Sequence, residues 1–229
     1  MITRITLSLI IIISTSGIAS GQEIGSLKEF YDAFRKNKYE ESIGAKPEIN
    51  GSPWENAEFV NGEIYSSGNQ HYSAIPLRYN IYSNQIEFRK PGGEIFEINP
   101  PEIIDSIFIG ESSYIYYPYN IGSKTQKSFF KVLTKGSPML LAKMNVILKE
   151  AELPGAYKDA VPASFERMQD DFYLAEVPGE AIKFSGKKDF LELLKSHSEE
   201  MEQFIKQNKT KFSRQDDMIK LVKFYYSLK

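Results

Sequence analysis

Groups able to do chemistry are sparse in this chain of 229 residues. His71 and His197 are its two histidines, and it has no cysteine. The missing thiols exclude disulfides, thiol catalysis, cysteine-rich zinc sites and a lipid anchor on an N-terminal cysteine. His71 stands beside Tyr72 at the start of a strand-like run, and His197 in the first turn of a helical one. Nothing near either supplies the second member of a dyad or triad, so both read as exposed or helix-end histidines. No His-Glu-x-x-His, glycine-rich phosphate loop, EF-hand spacing or Gly-x-Ser-x-Gly elbow occurs. The expectation is no metal, no cofactor and no assigned catalytic residue.

Carboxylates offer a second route. Asp170-Asp171 would suit acid/base work or metal binding if the two sat in a turn. On a strand, neighbouring side chains point to opposite faces and the pair would diverge. A polar turn before Phe172 is the plainer reading, and a carboxylate-dependent periplasmic hydrolase is the alternative function. A glycosidase needs two carboxylates at a set separation, which one chain of acidic residues does not reveal.

Tyrosine is the most suggestive supply. Tyr114, Tyr116, Tyr117 and Tyr119 crowd one segment, and Tyr65, Tyr72, Tyr79 and Tyr82 lie on the preceding strands. A rigid apolar ring with a polar tip suits recognition of a sugar or peptide at a surface. It equally suits a strand with one half-wet face. Alternation puts Tyr114 and Tyr116 on one side and Tyr117 and Tyr119 on the other. Tyr79, Tyr114 and Tyr116 are the candidate ligand-binding residues, while Trp54 reads as a plug under the sheet.

The elements that must position these residues centre on Leu77 to Arg89. Leu77, Tyr79 and Ile81 alternate with Arg78 and Asn80; after Ser83-Asn84, Ile86 and Phe88 alternate with Glu87 and Arg89. That pattern predicts a β-hairpin with one buried face. Similar short runs from Trp54 to Phe184, punctuated by Asn-Gly, Pro-Gly-Gly and Pro-Pro, predict an antiparallel meander closed as a barrel or stacked as a sandwich. Met139 to Leu148 reads as one strand, Glu152 to Ser164 as a loop, and Phe165 to Val177 with Ala181 to Phe184 as a last hairpin.

Helices flank the meander. Ser26-Leu27-Lys28-Glu29 is a capping box before the stripe Leu27, Phe30, Tyr31 and Phe34, a short helix ending near Asn37. Lys38 to Pro53 reads as a linker. After Ser185 come Phe190, Leu191 and Leu194, then a capping box at Ser196 to Glu199, and a third helix from Ser213 bearing Ile219, Val222, Tyr225 and Tyr226. The predicted class is α+β: residues 22–53 helix and linker, 54–184 the β domain, 185–229 a helical cluster packed on the sheet. An outer-membrane barrel is disfavoured, because the chain ends in helices and its strands lack an outward apolar band.

Residues 1–21 resemble a secretory signal peptide, with Arg4, the apolar run Leu7 to Ile13, and Ala19-Ser20-Gly21 before a cleavage point at Gln22. That apolar run is short for a membrane span. The mature chain is expected to be exported to the periplasm or cell surface, with no transmembrane span left after cleavage. Net charge is −2, which argues against a nucleic-acid partner. Charge is uneven, with a basic tail from Lys183 onward beside an acidic body.

Gly51-Ser52-Pro53-Trp54, Phe59 to Gly62, Ile75 to Tyr82 and Ile86 to Arg89, with the tail Phe204 to Lys209 and Met218 to Tyr226, resemble an uncharacterised family of exported β-rich proteins from Bacteroidetes-type bacteria. The resemblance implies export. It carries no catalytic residue. The expected function is a cell-envelope binding or structural module, with an envelope protein or glycan as partner.

Overall fold

The computed structural model describes residues 23–24, 27–33, 49–122, 124–154, 159–194 and 196–229. The signal-peptide reading, Ser26 of the first capping box and the helix end near Asn37 lie outside the described residues.

The central hairpin forms in the predicted register. Strands β3 (Gln70–Asn80) and β4 (Gln85–Arg89) pair antiparallel, Leu77 opposite Phe88 and Tyr79 opposite Ile86. Asn84, in the turn, takes the left-handed conformation at φ 54°, which asparagine tolerates better than most residues. Around this pair the sheet grows on both sides. Strand β1 (Glu23–Ile24) adds to β3 in parallel, β2 (Val60–Ser66) pairs antiparallel with β3, and β5 (Ile95–Glu97) pairs with β4. Gly62 of β2 lies so close to the Phe108 carbonyl and Leu77 that a Cβ would clash, and the β2–β3 register shifts there.

A meander follows: β6 (Ile104–Ile109), β7 (Ser112–Ile121), β8 (Lys124–Thr134) and β9 (Met139–Lys143). The chain then leaves for a separate two-stranded sheet, β10 (Val146–Lys149) with β11 (Ser164–Arg167). It returns as β12 (Asp171–Ala175) and β13 (Ala181–Phe184), completing an 11-stranded sheet. Strand β13 also meets β7, Ala181 beside Tyr119, so β7, β8, β9, β12 and β13 form a closed ring. Closure decides for the barrel over the sandwich; the remaining strands extend outward from it. Two expectations are corrected here. The run Met139 to Leu148 breaks at Met144-Asn145, where β10 departs, and Phe165 to Val177 divides between β11 and β12.

Period-two alternation sorts the ring's side chains into separate cores. Tyr119, Phe130, Leu141, Tyr173, Ala175 and Ala181 fill its interior. Tyr114 and Phe129 point outward into the core of the first strands, with Ile64, Leu77, Tyr79 and Phe88. Phe30 of α1 (Leu27–Ala33) is fully buried in that same core, 4.9 Å from the Phe88 ring, so this helix packs within the chain. Leu140, Ala142, Phe172 and Leu174 face the third core, under α2 (Lys187–Leu194), α3 (Ser198–Asn208) and α4 (Gln215–Ser227).

The amphipathic spacing of the tail thus produces the predicted helices, but one cap differs. The N-cap of α3 is His197, left-handed at φ 58°, and it makes no side-chain cap bond. Ser196 instead donates to the Leu194 carbonyl at 3.2 Å. Among the described residues no helix is long and apolar enough to cross a membrane. The protein is an α+β, barrel-like β fold with a small N-terminal helix and a C-terminal helical layer.

Candidate functional site

Tyr79 and Tyr114 are buried rather than displayed. Their rings sit 5.3 Å apart. The Tyr79 hydroxyl donates to Asn84 Oδ1 at 2.7 Å, and Asn84 passes the chain to Ser128 at 2.7 Å. The Tyr114 hydroxyl donates to Glu55, whose other oxygen accepts from Lys131 at 2.7 Å. Burial, then the Glu55 charge, push both phenols far above the ordinary range, so they stay protonated donors. Both rings line a cavity of about 210 Å³ with Arg78 and Glu55. Ligand pockets usually begin near 300 Å³, so this one holds little beyond water. Tyr116 lies elsewhere, half-buried against Phe129 at 5.0 Å, so the structure brings two of the three together.

The polar side of the hairpin corrects the expectation of one buried face. Arg78, Asn80 and Glu87 are all buried, Glu87 fully. The Glu87 carboxylate accepts from Arg78 Nε at 2.6 Å, Asn80 Nδ2 at 2.8 Å and Trp54 Nε1 at 3.2 Å. The Arg78 guanidinium lies between the Trp54 ring at 3.9 Å and the Phe59 ring at 4.3 Å. A segment read as linker end and plug therefore seals a charged core. Its chemistry is structural: among the described residues no buried polar side-chain atom lacks a partner.

The other candidates are each committed locally. Asp170 pairs with Arg167, while Asp171 pairs with Lys183 at 2.8 Å. Each carboxylate thus has its own cation, and the two share no proton position. His71 stacks on Tyr65 at 4.3 Å with Nε2 3.2 Å from Glu63. His197 lies 6.4 Å from the Tyr225 ring. Among the described residues no group of three or more His, Asp or Glu is placed to hold a metal ion.

A larger concavity lies away from every residue the sequence reading named as a ligand site. A cleft of about 690 Å³ opens between the tip of the β12–β13 hairpin and the α2 helix, within the usual range for ligand sites. Its floor is apolar: Leu174, Ile182, Leu193, Leu194 and Tyr225. Ile182 is 49% exposed, so this floor is open to a partner's apolar side chains. Among the described residues the rim carries the carboxylates of Glu176, Glu180, Asp189 and Glu192 against one amine, Lys183.

These rim groups are not equivalent. Glu180 accepts from Asn120 and Thr125, anchoring the hairpin tip to the β7–β8 hairpin. Asp189 accepts from the Ser185 amide and hydroxyl at 3.2 and 3.1 Å, closing the first turn of α2. Among the described residues Glu176 and Glu192 are in no ion pair. They are the charges left to meet a ligand. One cue lay in the sequence: Glu176 and Glu180 bracket Val177-Pro178-Gly179, so the turn had to display them.

No protein-family model, curated protein or solved structure matches this chain.

Proposed function

We propose that this protein is a binding module exported to the bacterial cell envelope, and that the cleft beside α2 receives a basic, partly apolar segment of an envelope protein. The observation that carries the reading is the cleft's composition, an apolar floor under a rim where, among the described residues, carboxylates outnumber amines. The floor rewards aliphatic side chains at about 25 cal/mol per Å² buried. The rim favours lysine or arginine and suppresses acidic partners. A neutral glycan gains nothing from the net negative charge of the rim, whereas a basic protein segment does. Export rests on the pattern of residues 1–21 and on the resemblance to exported β-rich proteins of Bacteroidetes-type bacteria.

The test is site-specific photo-crosslinking in cells. A benzoylphenylalanine at Ile182 should capture an envelope protein that the same probe at Lys220, on α4, does not. The double variant Glu176→Gln/Glu192→Gln should weaken capture severalfold, and added salt should do the same to the wild type. An empty Ile182 probe with the protein free in solution would sink the proposal. Retention on purified envelope glycan without a cross-linked protein would also overturn it.

A further inference from the structure

The closed ring has two different ends. At one, Tyr119, Phe130 and Tyr173 meet edge to face with centroids 5.0 to 5.9 Å apart, and Lys143 donates to the Tyr119 hydroxyl at 2.8 Å. That end is plugged. At the other, the inward side chains Ile115, Val132 and Met139 are only partly buried and line a second cavity of about 430 Å³. Phe108 and the 70% exposed Val177 form its outer wall. Among the described residues one charged side chain lines it: Lys135, its amine 5.0 Å over the Phe108 ring and in no ion pair. Ser106 and Ser113 also line the wall.

We infer that the mouth of the ring binds the free carboxylate form of a medium-length fatty acid. The acyl chain enters between Ile115, Val132 and Met139, and the carboxylate stays at the rim on Lys135. Volume and lining suit an unbranched apolar body, since barrel mouths are recurrent ligand sites and this one lies in the size range. Charge decides the head group: one cation at an apolar opening selects a single anion and rejects a cationic amphiphile. The Lys135 stem can lie along the wall while its amine remains wet. The site is separate from the cleft beside α2: Glu176 lines the cleft and the next residue, Val177, lines the mouth.

Calorimetric titration with octanoate, decanoate and dodecanoate, below their micelle concentrations, tests this directly. Saturable 1:1 binding is expected, tightening about fourfold per added methylene until the cavity is full. Decanol should bind more weakly than decanoate, and Lys135→Glu should weaken decanoate at least tenfold while leaving decanol unchanged. Lys135 is exposed, so this variant keeps the fold. Glu176→Gln/Glu192→Gln should bind decanoate as the wild type does, which separates this site from the cleft. The inference is overturned if decanoate does not saturate, if decanol and decanoate bind alike, or if Lys135→Glu has no effect. Binding seen only to phosphatidylglycerol vesicles, and not to monomeric decanoate, would equally overturn it.

Discussion

A charged side chain inside a β core is tolerated only when every lone pair and proton is matched, and Glu87 meets that condition through Arg78, Asn80 and Trp54. Glu87→Ala strands the Arg78 guanidinium and should cost about 3–5 kcal/mol by urea unfolding. Replacing both partners, Arg78→Met with Glu87→Leu, should cost much less than the two single changes summed. Beside it, Glu97 lies directly across from Glu87 on β5. Burial, then the Glu87 charge, raise its carboxyl above the ordinary value. The folded state therefore holds that proton longer than the unfolded one, and stability falls as pH rises from the ordinary carboxyl range through the raised value. Glu97→Gln should remove this fall: the variant gains urea midpoint over the wild type at neutral pH and loses the gain in acid. Alternation along Leu77 to Arg89 made these residues legible as one face. It could not show that Trp54 and Phe59 fold over that face, because the contact joins segments far apart in sequence.

Elements were legible where periodicity is strong and obscure where a turn decides. Strands β3, β4, β7, β8 and β13 and the three C-terminal helices follow from spacing alone. The departure of β10 from β9 depends on a two-residue break inside an apolar run, which looks continuous in sequence. The cleft beside α2 was hidden for a similar reason, since its floor residues come from strands and helices that meet only after the ring closes. Helix α4 shows how narrowly such docking is set. Tyr226 donates to the Pro138 carbonyl at 2.5 Å and lies within 2.8 Å of the Thr134 hydroxyl, with its ring against Gly136. Any Cβ on Gly136 would overlap that ring. Gly136→Ala should cost about 1–3 kcal/mol through overpacking. Amide exchange should quicken in α4 while β2 to β4 keep their protection, and equal loss across the chain would show that the helix is not a separable layer.

At the scale of the whole molecule, the ring is completed by its last strand. Tyr119 waits on β7 for Ala181, and the excursion through β10 and β11 intervenes. Such closure raises contact order and slows folding relative to a local meander. Until it happens, the far half of β7 and the outer side of β12 are open strand edges, with Tyr119 and Ala175 facing an unfilled interior. Ala181→Trp, too large for the ring's interior, should leave β13 undocked and make the chain aggregate on refolding, read as light scattering, whereas the wild type stays clear. The same bridge thus sets the moment at which the ring's edges disappear. A nascent chain cannot hide these edges until β13 has emerged, so the burial of the ring's interior is timed to the arrival of that strand.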